Sequence, residues 1–144
     1  MSTFKKYALV AITIIIAIAS IYGYREFNRK PANVSSLKTQ VIITADSIIT
    51  AYERDEVKAN EDFLGKTILV NGVVSEMNNE HDTLLNVIIG NNGLHNVSCL
   101  LDNTELEKYK KYSVGKPVSI KGICTGFLAD VELNRCVIVT STIK

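Results

Sequence analysis

Tryptophan is absent from this chain, and there are only three cysteines and two histidines in 144 residues. So few cysteines exclude a disulfide-dense secreted scaffold. A net charge of +1, from 16 Lys and Arg against 15 Asp and Glu, excludes a strongly basic nucleic-acid coat and an acidic tail protein. There is no G-x-S-x-G, no P-loop and no G-x-G-x-x-G, the short motifs that bring catalytic or phosphate-binding geometry with them. What the chain does have is apolar content: 47% hydrophobic against 22% charged residues, enough to bury the core of one domain and too much for wholesale disorder.

Charge is unevenly placed. Residues 1–35 carry a net +4, residues 36–65 a net −3, and residues 66–144 are balanced. Between Lys6 and Arg25 lies an uncharged run, Tyr7 to Tyr24 (YALVAITIIIAIASIYGY). As a helix it reaches about 27 Å at ~1.5 Å per residue, close to a bilayer's hydrocarbon thickness. Tyr7, Tyr22 and Tyr24 fall at its two ends, where an amphipathic ring suits the headgroup region. No face of the run is polar, which argues against a buried helix of a soluble domain. Ala17-Ile18-Ala19 has the small-x-small form of a signal-peptidase site. The apolar run continues past it through Ile21 and Tyr22, which favours an uncleaved anchor over a removed signal peptide. No cysteine lies near this point, so a lipoprotein cleavage box is missing. Basic residues flank both ends and leave orientation tied; the short N-terminal tail favours export of the C-terminal portion.

Residues 25–36 (REFNRKPANVSS) are polar and read as a tether between an anchor over residues 1–24 and a domain over residues 37–144. In that domain Thr44 is placed to cap a helix whose apolar positions Ala45, Ile48, Ile49 and Tyr52 recur at helical spacing. A break at Arg54-Asp55 and a second apolar set, Val57, Ala59, Phe63 and Leu64, predict two short helices or one bent one. The acidic excess on them reads as a solvated surface. After Gly65 the period changes to 2, and five strands are predicted: Ile68 to Val74, Leu84 to Gly90, Leu94 to Leu101, Pro117 to Phe127 and Val131 to Thr140. A short charged helix, with Leu106 and Tyr109 as its apolar contacts, fits between the third and fourth.

Two segments match each other, Gly65-Lys66-Thr67-Ile68-Leu69-Val70-Asn71-Gly72 and Gly115-Lys116-Pro117-Val118-Ser119-Ile120-Lys121-Gly122. Each opens on a turn glycine and ends on a strand glycine. Gly72 and Gly122 give up side-chain packing inside a strand, which marks a bend of the kind a small barrel needs where one strand serves two sheets. Three strands, a helix and two strands describe an oligonucleotide/oligosaccharide-binding (OB) barrel. The fold class is therefore mainly β with helices (α+β): a five-stranded OB-fold barrel preceded by short helices and an N-terminal transmembrane helix.

Over Thr44 to Ile138 the sequence resembles the bacterial OB-fold family called tRNA anti-like. The resemblance rests on Ala59-Asn60 ahead of Gly65-Lys66, Val70-x-Gly72-x-Val74, Val97-x-Cys99, Gly122-x-Cys124-x-Gly126 and Asp130-Val131-x-Leu133-x-x-Cys136. It implies the OB barrel, and it favours an N-terminal anchor with the barrel outside the cytoplasm. The family's name records likeness to anticodon-binding domains and carries no activity onto particular residues.

An OB barrel that binds single strands uses its second and third strands and the adjoining loops, with aromatic platforms and Lys or Arg along the track. Here those strands hold no aromatic, Lys or Arg, and His95 is their one possible stacking group. Glu76, Glu80, Asp82, Asp130 and Glu132 occupy the loops and would repel phosphates. The best basic cluster is Lys108, Lys110 and Lys111. Neither histidine has a partner at a metal spacing. Cys124 shares parity with Val118 and Ile120, so it points inward as a structural thiol with no base placed beside it. In an oxidising compartment Cys124 and Cys136 are candidates for a disulfide across the last two strands. Their register makes them diagonal neighbours at roughly 7–8 Å, beyond the usual disulfide range unless a bulge closes the gap. Cys99 is then a buried free thiol.

The expectation is a single-pass protein, anchored at the N-terminus and displaying its domain on the periplasmic side of the membrane. It is read as a binding or interaction module without catalytic residues, metal or cofactor. Its partners are the membrane and a protein or envelope component, and single-stranded nucleic acid is the alternative ligand.

Overall fold

The computed structural model describes residues 3–28, 34–80, 84–90 and 93–139. It forms two compact units, Met1–Ala32 and Asn33–Lys144.

The first unit is one helix, α1 (Thr3–Phe27), closed by the Asn28 backbone and side-chain amides, which both donate to the Tyr24 carbonyl at 3.0 Å. A helix is present where the uncharged run predicts one. Among the described residues, no helix is long and apolar enough to cross a membrane.

The second unit opens with a 3-10 turn at Val34–Ser36, whose Val34 is buried. Lys121 Nζ donates to the Ser35 and Leu37 carbonyls, each at 2.9 Å. Residues 34–36, expected to belong to a free tether, are therefore packed on the domain by a buried lysine. Strand β1 (Val41–Thr44) follows and runs directly into α2 (Ala45–Arg54). The Thr44 hydroxyl accepts from the Ser47 amide at 3.3 Å, satisfying one of the donors a helix start leaves open. Asp55 ends α2, its amide donating to the Ala51 carbonyl, and starts α3 (Glu56–Phe63), its carboxylate accepting from the Lys58 amide at 3.0 Å. That double role makes two short helices of the stretch instead of one bent helix.

The barrel strands are β2 (Thr67–Glu80), β3 (Leu84–Ile89), β4 (Val97–Leu101), β5 (Pro117–Phe127) and β6 (Val131–Ile138). Between β4 and β5 lie a 3-10 turn, Asn103–Glu105, and α4 (Leu106–Tyr109). The sheet order is β1-β2-β3-β4-β6-β5, closed by pairing of β2 with β5. Five strands make a closed mixed barrel of OB type, with β4 parallel to β6 and the other barrel pairs antiparallel. β1 is a sixth strand that the sequence analysis did not predict. It lies parallel on β2 with Val41 opposite Ile68, and Gln40 fixes its start through two 2.8 Å hydrogen bonds to the Thr67 backbone. The core is aliphatic: Ile48 from α2 and Ile68, Val70, Leu85, Ile89, Ile120 and Leu133 from the barrel are fully buried.

The two matching segments form a local two-fold pair. Val70 stands opposite Ile120, Ile68 opposite Gly122 and Gly72 opposite Val118. The turn bonds repeat in the same symmetry: the Gly65 amide donates to the Cys124 carbonyl and the Gly115 amide to the Val74 carbonyl, both at 2.8 Å. Gly65 and Gly115 both have positive φ, 74° and 84°, in the left-handed region that glycine tolerates best. Gly72 and Gly122 sit where the barrel closes on itself. A Cβ at Gly72 would lie 2.2 Å from Ile89 Cγ2, and one at Gly122 would lie 2.4 Å from Cys136 Sγ. Hydrogen at these positions lets neighbouring strands and side chains pack through the space a methyl would occupy.

Candidate functional site

The β3–β4 face is where an OB barrel holds a single strand. Its outward positions here are Asn86, Ile88, Ser98 and Leu100. Asn86 and Ser98 are hydrogen-bonded to each other in both senses, at 3.2 and 3.3 Å. These outward positions are uncharged and without rings. His81 and Asp82 of the β2–β3 loop lie outside the described residues. Lys108 and Lys110 of the basic cluster are each paired, with Glu105 at 3.1 Å and Glu107 at 3.8 Å. Glu105 is itself buried, its other hydrogen bond coming from the Ile138 amide at 2.9 Å. Lys108 thus ties α4 to β6, its Nζ also donating to the Ile138 carbonyl at 3.2 Å, and Lys110 compensates the Glu107 carboxylate.

The aromatic side chains gather elsewhere, at the end of the barrel where β4 and β6 begin. Tyr52 of α2 stacks on Phe127 at the end of β5, with centroids 5.4 Å apart. Phe63 of α3 tilts against Tyr52 at 6.1 Å, and His95 meets Phe127 edge-on at 5.2 Å. His95 is held there because its Nδ1 is hydrogen-bonded to the Ala129 carbonyl and because the Asp130 carboxylate accepts from the neighbouring Asn96 amide at 2.7 Å. The connection before β4 and the β5–β6 turn are thereby stapled together. Above the rings is an open cleft of about 520 Å³, lined by Tyr52, Leu94, His95 and Phe127 and by the helix-junction residues Glu53, Arg54, Asp55 and Glu56. The Tyr52 hydroxyl donates to Asn60 Oδ1 at 3.2 Å and lies 3.4 Å from Cys124 Sγ. Burial, then the Cys124 contact, then the Glu56 carboxylate push its pKa well above the usual tyrosine value. A phenol held neutral beneath the cleft packs and donates; it is no base.

Cys99, Cys124 and Cys136 are all buried free thiols. Cys124 stands opposite Leu133, next to the pairing of Ile123 with Asn134, so it and Cys136 are offset along the strands. The candidate Cys124–Cys136 pair is unbridged in the structure, and each sulfur has a different neighbour, Cys124 lying against the Tyr52 hydroxyl. Cys136 Sγ donates to the Leu133 carbonyl at 3.3 Å and is hydrogen-bonded to Cys99, and burial pushes its thiol pKa well up. Among the described residues no group of three His, Cys, Asp or Glu side chains is placed to hold a metal ion. The sequence analysis singled out His95 but not its company. Tyr52 appears there as a core position, and the acidic residues beside it as plain helix surface.

The tRNA anti-like family model matches residues 1–138. The chain belongs to the tRNA anti-like family. Among solved structures, this tRNA anti-like chain is similar to a candidate nucleic acid-binding lipoprotein from Klebsiella pneumoniae, at 16% identity and a TM-score of 0.57, over 77% of this chain and 100% of that one. It also matches a candidate aspartyl-tRNA synthetase from Leishmania major at 11% identity and a TM-score of 0.48, over 88% of this chain and 26% of that one. At 16% identity the likeness to the Klebsiella protein is one of fold. No curated protein matches the chain.

Proposed function

We propose that this tRNA anti-like chain is a non-enzymatic interaction module, held at the membrane by its N-terminal helix, with its barrel outside the cytoplasm and a protein as its partner. The observation that carries this reading is the composition of the β3–β4 face: Asn86, Ile88, Ser98 and Leu100 provide neither a stacking ring nor a cation. Phosphate contacts dominate affinity for nucleic acid, and a base stacked on an aromatic adds about 1–3 kcal/mol. Neither resource is present on that face. The membrane address is supported by the uncharged run Tyr7 to Tyr24 within α1, counted over its whole length, and by the description of the Klebsiella neighbour as a lipoprotein. The non-enzymatic reading is supported by the state of Cys124, which is sealed under Tyr52 and lacks a basic partner.

The same neighbour's description names nucleic acid, and the His95–Phe127 ring pair lining the cleft could stack a base. Glu53, Asp55 and Glu56 beside it oppose a phosphate backbone. Fluorescence anisotropy of a labelled single-stranded DNA 20-mer with the full-length protein in detergent micelles separates the two readings. The expected dissociation constant is weaker than about 100 µM, at the weak limit of non-specific binding. A value near 1 µM at low salt, with log affinity falling steeply against log salt, would establish nucleic-acid binding instead.

A further inference from the structure

We infer that the cleft between the α2–α3 junction and the rings of Phe127 and His95 receives a basic segment of a partner protein, with a Lys or Arg stem lying on the apolar floor and its charge at Glu53 and Glu56. The inference rests on the interaction-module reading and specifies which surface is used and what chemistry it selects.

Three independent features of the site converge on that occupant. The first is the floor. Tyr52 stacks on Phe127 and His95 meets Phe127 in a T-shaped contact, while Phe127 remains only half-buried and both Phe127 and His95 line the cleft; aromatic surface on a cleft floor is one on which a cation or an aliphatic stem gains attraction. The second is unburied apolar area next to it. Leu94, on the cleft wall, is 88% exposed, and Leu128, following Phe127, is 85% exposed. Their two loops are fixed to each other by the Asn96–Asp130 and His95–Ala129 hydrogen bonds. Leu94 on the cleft wall, and Leu128 on the loop fastened to its own, leave exposed apolar area that a partner can cover. The third is charge. The lining contains three carboxylates, Glu53, Asp55 and Glu56, against one guanidinium, Arg54. Complementary potential selects a cationic visitor and rejects phosphates and acidic peptides. A bare metal ion would gain nothing from the leucines, and a small organic cation would leave Leu128 uncovered. A peptide segment that alternates basic and aliphatic residues satisfies all three features together.

The test pans a random 12-residue displayed-peptide library on the full-length protein in micelles, then measures the enriched peptides against variants. Expected is enrichment of Lys or Arg beside aliphatic residues. Leu94→Ser, a change at an exposed position, should weaken these peptides at least about fivefold, and Glu53→Gln with Glu56→Gln about fivefold at low salt, an effect that shrinks in high salt as rim charge pairs do. Circular dichroism of both variants should match the parent. Enrichment of acidic or neutral peptides, or binding that neither variant weakens, overturns the cleft assignment and leaves the protein-partner reading standing. Failure to enrich any peptide overturns the assignment; if single-stranded DNA binds tightly as well, the interaction-module reading falls with it. Self-association that Leu94→Ser abolishes would make a second copy the occupant and overturn the inference.

Discussion

Replacing Gly122 by alanine puts a methyl carbon 2.4 Å from Cys136 Sγ, 3.2 Å from Leu133 Cβ and 3.4 Å from the Asn134 carbonyl. Non-bonded heavy atoms settle at about 3.5–4.0 Å, so the sulfur overlaps the new methyl by more than ~1 Å. Cys136 has little room to retreat: it is fully buried and hydrogen-bonded to the Leu133 carbonyl. Overpacking of this kind costs about 1–3 kcal/mol. Cys136→Ala alone removes a small buried group, and a loss near 1 kcal/mol is expected, similar to a buried Ile→Val change. In the double variant the alanine methyl at 122 occupies the volume the sulfur vacates. The pair should therefore be about as stable as Cys136→Ala alone, with a favourable coupling of about 1–2 kcal/mol in the double-mutant cycle. Urea unfolding of the four proteins, followed by tyrosine fluorescence, measures the coupling. Strict additivity would refute the reasoning, because it would mean that the methyl and the sulfur do not compete for one space.

Two further outcomes follow from buried polar groups. The pKa values of Tyr52, Tyr109 and Cys136 are all raised in the folded protein, chiefly by burial. The folded state then holds protons that the unfolded state releases, so stability is complete below about pH 8, declines first through Cys136 and then, as pH rises through 10, through the tyrosines as well, by up to about 1.4 kcal/mol per pH unit for each group. Tyr52→Phe should flatten that decline above pH 10 in Tm measurements, and an unchanged slope would contradict the role given to Tyr52. Lys121→Met keeps the aliphatic stem but leaves the Ser35 and Leu37 carbonyls without their 2.9 Å donor. A loss of about 1–3 kcal/mol and faster amide exchange over residues 34–38 are expected; exchange at the parent rate would show that the lysine does not hold this segment.

Local signals in the sequence located most of the barrel. Period-2 alternation marks β2 to β6, and the helix spacing with Thr44 and Asp55 marks α2 and α3, because caps and alternation are decided within a few residues. The matched Gly65–Gly72 and Gly115–Gly122 segments are legible as a repeat, but their pairing across a two-fold needs the sheet. β1 escapes because four residues, Val41–Thr44, abut a helix cap, and their partners begin at Thr67, reached only by a long-range pairing. The Cys124–Cys136 geometry depends on register; the break in alternation between Leu133 and Cys136 hints at an irregularity there, where Arg135 has φ 56°, but it does not give the register shifts at Lys121/Ile123 and Cys124/Gly126. The cleft is the least legible feature. Tyr52, His95 and Phe127 come from a helix, a loop and a strand end, and the carboxylates beside them look in sequence like any solvated helix surface.

The central claim is that the barrel is held outside the cytoplasm as a binding module. Protease treatment of spheroplasts that express the full chain with a C-terminal tag tests it most directly. The account predicts that tag and domain are digested while the membrane is intact and a cytoplasmic control survives. Protection of the tag until the membrane is lysed would contradict it, placing the barrel in the cytosol and restoring nucleic acid as its ligand class.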